Sequence, residues 1–160
     1  MEIRKAKIEE LENIFYIYKS LIGESGCTWN QYYPSINDIK NDINQKALSI
    51  MVDEAKIVGA VCACKDEEVM EFDCWNKEFK NPYVLCRVGV LKEYQHKGIA
   101  KELIKYAEND VLNKKCDVMY LTVGKINQKA INLYEKLDYK CCGEVTLYEQ
   151  DWFCYEKELK

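Results

Sequence analysis

The segment Gln95-His96-Lys97-Gly98-Ile99-Ala100 joins an apolar run, Tyr83 to Val90, to an amphipathic one that starts at Gly98. The first turn of a helix carries backbone N–H groups with no intrahelical partner, together with the positive end of the helix dipole. Gly98 has no side chain to hold an anion away from those amides, and Lys97 puts a positive charge beside them. The chemistry on offer is recognition of a phosphate. The segment is not a Walker loop, which places Gly-Lys-Ser/Thr after a longer glycine loop, and it lacks the three glycines of the dinucleotide fingerprint. Taken alone, it also fits a plain tight turn from strand to helix.

A second patterned segment runs from Asn127 to Tyr139. Ile126, Ala130, Leu133 and Leu137 recur at helical spacing and make the expected core stripe. Asn127 and Tyr134, seven residues apart, project from nearly the same side. The rise between them is about 10 Å. That spacing suits an extended ligand lying along the helix, with an amide for its polar arm and a phenol further on. The plainer account makes Asn127 an N-cap and Tyr134 a half-buried ring.

Charge bounds what such a site must do. The 160 residues carry a formal net charge of −4, so no global field collects nucleic acid or anionic lipid, and a phosphate-bearing ligand must be held locally. With 48% hydrophobic and 31% charged residues the composition is that of one globular domain over residues 1–160. No run approaches the ~18 apolar residues of a membrane helix. The nine cysteines are an odd number, and Met1-Glu2-Ile3-Arg4-Lys5 leads into a charged segment with no apolar signal core. Cys62, Cys64, Cys86, Cys116 and Cys141 fall in apolar, strand-like runs, where a thiol behaves as a small hydrophobe. The expectation is a cytoplasmic protein with reduced core thiols. Cys62 and Cys64 resemble half a metal site, but no second Cys/His pair at ligand spacing completes one, so no metal is expected.

The elements that must position these residues can be read in order. Residues 2–6 form a strand. Lys7 to Ile22 is a helix with Ile8, Leu11, Phe15, Tyr18 and Ile22 as its stripe. A loop from Gly23 to Pro34 precedes Ser35, an N-cap for a helix with Ile36, Ile39 and Ile43 on one face. Strands over 47–53 and 56–64 form an antiparallel hairpin turning near Asp53-Glu54. Residues 65–82 carry no assignable pattern. Then come strand 83–90, a helix striped by Ile99, Leu103, Ala107 and Val111, strand 116–123, helix 126–137, and strands 139–148 and 152–159. The order β-α-α-β-β-β-α-β-α-β-β predicts an α/β (α+β) fold with a mixed sheet.

In this order and spacing, Val88-Gly89-Val90, the loop Gln95-x-x-Gly98-x-Ala100, and Asn127-x-x-Ala130-x-x-Leu133-Tyr134-x-Lys136-x-x-Tyr139 resemble the signature of the GNAT superfamily of acyl-CoA N-acyltransferases. The resemblance extends along the chain, with the specific motifs confined to residues 83–139. It implies a mixed, mostly antiparallel sheet of about six to seven strands flanked by about four helices. It also implies acetyl-CoA as co-substrate and an amine acceptor, either a small molecule or a peptide. The backbone of Gln95, His96, Lys97, Gly98, Ile99 and Ala100 would wrap the pyrophosphate. Val88 and Val90 would pair with the pantetheine arm like an added strand, where a bulge splays this strand from the next. Asn127 would bond the pantetheine or its phosphate end, and Tyr134 would stand near the sulfur as general acid.

Two positions depart from the family pattern. Asp138 stands where Gly is usual, and Asp tolerates a left-handed cap better than most residues. Ala100 replaces a frequent Gly. His96, the only histidine, is given backbone contact alone. No general base is assigned: Glu24, Glu71 and Asp73 are each read as solvated charges. Trp29, Tyr32 and Tyr33 either wall an acceptor site or pack the first two helices together. A non-catalytic acyl-CoA binding module of the same fold is the alternative. Neither nucleic acid nor membrane is an expected partner, and a homodimer is the first assembly to consider.

Overall fold

The computed structural model describes residues 1–76 and 78–160; Lys77, inside the stretch left unassigned above, lies outside the described residues. The elements are β1 (Glu2–Lys5), α1 (Leu11–Ser20), α2 (Ile36–Asn44), β2 (Leu48–Asp53), β3 (Lys56–Cys64), α3 (Glu67–Met70), β4 (Pro82–Val90), α4 (Ile99–Leu112), β5 (Val118–Gly124), α5 (Gln128–Lys136), β6 (Lys140–Leu147) and β7 (Gln150–Glu158). The expected order holds, with α3 added. That single turn is too short to show a period, and it starts where Asp66 accepts from Val69 N–H at 3.3 Å. The Ser35 cap is present and reciprocal. Its Oγ accepts from Asp38 N–H at 3.1 Å, and the Asp38 carboxylate accepts from Ser35 N–H at 2.8 Å.

The seven strands form one mixed sheet in the order β1-β2-β3-β4-β5-β7-β6, antiparallel throughout except for the parallel pair β4/β5. Glu54 and Ala55 both take positive φ in the β2–β3 hairpin, as a twist-matched two-residue turn requires. Leu103 and Ile99 of α4 pack over Gly59, while Tyr18 of α1 and Leu21 just after it pack over Gly89. Gly89 pairs with Ala60, and residues 59 and 60 of one strand point to opposite faces. The helices α1 and α4 therefore cover the two sides of the sheet. A smaller core under α3 holds Trp75 stacked on Tyr120 at 4.1 Å. Among the described residues no helix is long and apolar enough to cross a membrane.

Several expected stripes are shifted. The α4 stripe is buried as read, with Ile104 added. In α1 the buried residues are Ile14, Ile17 and Tyr18, while Ile8 lies exposed in a 3-10 turn before the helix. Ile36 is also exposed. In α5, Ile131 and Leu137 face the core, Ile126 is exposed, and Ala130 and Leu133 are only partly buried. Periodicity marks an apolar side but does not say whether core or cavity lies beyond it. Cys141 is exposed as well, because β6 is an edge strand.

The irregularity that matters most lies in β4. Its pairing with β3 steps from Ala60↔Gly89 to Cys62↔Cys86, so Arg87 and Val88 together oppose Val61. This is a β-bulge, with Arg87 held at φ 49°. Pairing of β4 with β5 covers only Pro82–Val84 against Val118–Tyr120, although both strands continue well beyond. The Arg87 guanidinium, 9% exposed, donates from Nε and Nη2 to the Asp42 carboxylate on α2, 3% exposed, at 2.7 and 2.8 Å. It also donates from Nη1 to Tyr33 Oη at 2.8 Å, and Tyr18 Oη donates to the Arg87 carbonyl at 2.7 Å. Burial holds the Asp42 carboxyl above its ordinary range, and the hydrogen bonds and charge of Arg87 offset only part of that shift.

Removing one partner of a buried pair leaves the other charge uncompensated. Arg87→Met is expected to lower stability by about 3–5 kcal/mol in urea denaturation. Pairing it with Asp42→Leu should recover most of that loss. A loss below about 1 kcal/mol for the single variant, the scale of a surface pair, would show that the interaction does not hold the bulge.

Candidate functional site

Where β4 and β5 part, a cavity of about 590 Å³ opens. Val88, Gly89 and Val90 form one wall. Leu91 N–H donates to Val58 O on β3 at 2.9 Å, so strand alternation turns the polar groups of Val90 toward the open side, next to the bulge that holds Val88. The Val90 carbonyl there accepts from Gln95 Nε2 at 3.0 Å. Gln95 in turn accepts from Lys129 Nζ at 3.5 Å, which ties the end of β4 to α5.

The predicted loop follows. A 3-10 turn over Lys92–Tyr94 leads to His96 at φ 64° and Gly98 at φ 80°, and Gly98 is the N-cap residue of α4. No side chain caps these first-turn amides. A Cβ on Gly98 would meet nothing within 4 Å, so the space above the helix start is open. Gln95, His96, Gly98, Ile99 and Ala100 all line the cavity. Lys97 does not: its ammonium sits over the Tyr94 ring, 5.1 Å from the centroid. The positive charges on the wall are instead Lys101, Lys129 and Lys136, which the sequence reading missed. Lys101 was within reach of pattern reasoning, because it sits in the first turn. The other two depend on where α5 packs.

Asn127 and Tyr134 both reach the cavity, so the structure brings the two predicted segments together. Asn127 Oδ1 accepts from Ala130 N–H at 3.3 Å and caps α5, and its NH2 makes no hydrogen bond among the described residues. Ala130 and Leu133 line the same wall, which explains why that stripe is only partly buried. The Tyr134 ring is half-buried and meets Tyr139 edge-on at 5.9 Å. Burial pushes the Tyr134 phenol above its ordinary range, and the neighbouring Cys86 adds to the shift. At neutral pH it is a protonated donor with a free hydroxyl among the described residues. Asp138 takes the left-handed conformation after α5 at φ 71°, and Tyr139 N–H returns to the Tyr134 carbonyl at 3.0 Å.

The loop between α1 and α2 forms the remaining wall, through Glu24, Ser25, Cys27, Thr28 and Trp29. Gly26, at φ 82°, lies against the start of α5: a Cβ there would come within 3.1 Å of Asn127 Cα. Of the three aromatic residues, Trp29 both packs and lines, meeting Tyr18 edge-on at 5.2 Å. Tyr33 is tied to Arg87, and burial pushes its phenol up to about 12. Tyr32 is exposed. Glu24 is the one carboxylate among the described lining residues, and it pairs with Lys92 at 3.5 Å. Glu71 and Asp73 line a different hollow, of about 510 Å³, beside Glu144.

The register of β3 and β4 also gathers Cys62, Cys64 and Cys86, whose sulfurs lie within 4.8 Å of one another. Hydrogen bonding from Cys62, then from Cys86, holds the Cys64 thiol below its ordinary range, whereas the Cys62 and Cys86 thiols are raised. Spacing within one strand shows Cys62 and Cys64 but cannot show the third member.

Comparison with known proteins places this geometry. Residues 8–139 match the acetyltransferase (GNAT) family. A stretch of 60 residues is 33% identical to an acetyltransferase of Pectobacterium atrosepticum, covering 38% of this chain and 43% of that relative's length. In three dimensions the chain is similar to ribosomal-protein-alanine N-acetyltransferase from Brucella melitensis, with a TM-score of 0.80 at 17% identity over 99% of this chain and 100% of that one. It is also similar to a GNAT family acetyltransferase from Streptococcus agalactiae, with a TM-score of 0.82 at 19% identity over 99% and 95% of the two chains. A third similar structure is yncA from Salmonella typhimurium, solved with its cofactor acetyl-CoA, with a TM-score of 0.79 at 16% identity over 100% and 94%. At such identities the structural likeness establishes a shared fold, and the match over residues 8–139 establishes that the chain belongs to the acetyltransferase (GNAT) family.

Proposed function

We infer that this protein transfers an acetyl group from acetyl-CoA to a primary amine, by direct attack of the amine on the thioester. The observation that carries this reading is the cavity between the diverging β4 and β5. Both the start of α4, whose amides have no side-chain cap, and the Tyr134 phenol line it. The backbone of Gln95 to Ala100 holds the pyrophosphate, with Lys101 and Lys129 supplying charge from the same wall. Lys97 contributes its backbone only. Val88 and Val90 pair with the pantetheine amides, and the Asn127 NH2 meets the same arm.

The amine nitrogen bonds to the thioester carbonyl carbon, and charge builds on the carbonyl oxygen. A backbone N–H at the β4 bulge, aimed at that oxygen, is worth about 3 kcal/mol in comparable oxyanion sites. As the C–S bond breaks, Tyr134 gives its proton to the leaving thiolate, the former amine nitrogen gives up its extra proton to solvent, and the Tyr134 phenolate takes a proton back from solvent. The acceptor, a small molecule or a peptide amine, enters beside the α1–α2 loop, with Trp29 as the wall. The nine unpaired thiols fit a cytoplasmic setting.

Two measurements test this reading. Acetyl-CoA at about 100 times its Kd should stabilise the protein by about 2.7 kcal/mol, with little effect from ATP; an equal response to ATP would move the reading to a nucleotide enzyme. Tyr134→Phe should lower kcat by about 100-fold or more in an amine-panel assay of thiol release, leaving the KM for acetyl-CoA nearly unchanged. Because the phenol is raised, wild-type kcat should show no decline as pH rises through the ordinary phenol value of about 10. If thiol release is observed but unaffected in Tyr134→Phe, the general-acid role is lost. If no amine elicits release, the protein is an acyl-CoA binding module.

A further inference from the structure

We propose that Cys62, Cys64 and Cys86 form a three-thiolate site for one soft d10 cation, zinc(II) or copper(I). Strand alternation puts Cys62 and Cys64 on one face of β3, and Cys86 of β4 stands directly opposite Cys62. That is the face covered by α1 and α2, so the trio lies apart from the uncapped amides of α4. The three sulfurs lie within 4.8 Å of one another, and Cys64 Sγ is 3.8 Å from Cys86 Sγ. Metal–sulfur bonds of ~2.3 Å around one centre place their sulfurs about 3.8–4.0 Å apart. One edge of the triangle already has that spacing, and the others need to close by less than about 1 Å.

The surroundings select the class of ion. No histidine, aspartate or glutamate among the described residues joins the cluster. Asp42 of α2 accepts hydrogen bonds from Arg87 on both of its oxygens. A donor set of sulfur alone favours zinc or copper(I) over magnesium or calcium. Arg87 Nη2 lies 3.7 Å from Cys62 Sγ, so a positive charge already faces the sulfurs that would become anionic. Cys62 is fully buried, whereas Cys64 and Cys86 are partly exposed and leave a route for the ion. Each ligating thiol loses its proton to solvent as its sulfur bonds the ion, with no change of oxidation state. The occupied site would join β3 to β4 one residue before the bulge that opens the cavity.

The test uses the full chain, reduced and stripped with a chelator, dialysed in one arm against zinc(II) and in another against copper(I), with metal counted per chain. One equivalent should be retained, and the arm that retains it identifies the ion. Cadmium(II) as a probe should give thiolate-to-metal charge-transfer absorption. Cys64→Ser and Cys86→Ser should each lose that equivalent, while Cys141→Ser, an exposed thiol outside the cluster, should keep it. X-ray absorption on the wild type needs no variant to fold, and should find about three sulfurs at ~2.3 Å around the ion. No retained metal in either arm, equal retention in the Cys64 and Cys86 variants, or a shell of mainly nitrogen and oxygen would each overturn the proposal.

Discussion

The buried ion pair between Arg87 and Asp42 sits where the regular sheet breaks. A non-glycine residue with positive φ is strained by roughly 1–3 kcal/mol and persists only where its surroundings over-determine it. Here the surroundings are three. The guanidinium is held bidentately by Asp42 of α2, its third edge reaches Tyr33, and the carbonyl of the same residue accepts from Tyr18 of α1. Two helices and a loop thus converge on one residue of β4. The extra residue there re-aims the strand, and β5 continues with β7 as its partner while β4 continues with β3. The cavity is the space left between them.

This arrangement accounts for how an acidic chain can offer a place for an anionic ligand. Net charge is unfavourable, so attraction must come from fixed dipoles and nearby lysines. The α4 amides are left without a side-chain cap, which would be a defect in an ordinary helix. The same open strand edge leaves Val88 and Val90 without a β5 partner, and the Val90 carbonyl accepts from the Gln95 side chain instead. Backbone without a helix cap or a strand partner at two adjoining places is the physical mark of the site. Both places are suited to an extended ligand that carries its own amides and phosphates, as proposed here.

Much of this was legible because it depends on local rules. The Gln95–Ala100 segment read correctly as strand to helix, since Gly98 and the α4 stripe leave few alternatives. Ser35 capped as expected, and Asp138 took the left-handed turn that its short side chain tolerates. Other readings failed at the point where local rules stop. Ile126 and Ile8 fit a period but lie outside their helices, and Ala130 and Leu133 face a cavity where core was expected. The Lys97 side chain turned to Tyr94, because a flexible chain goes to whichever ring lies nearby.

By itself the sequence determined the order of elements, the anion-ready helix start and the alignment of Asn127 with Tyr134 along one helix. These follow from residue type and from periods of 3.6 and 2. Tertiary structure alone decided which strands part, which lysines reach the wall, and which cysteines meet. Cys86 lies 22 residues from Cys64, and only the register of β4 against β3 brings them face to face. Arg87 and Asp42 are 45 residues apart, and neither predicts the other until α2 folds over the sheet. Such pairings depend on burial and strand register, which no short window of residue types encodes.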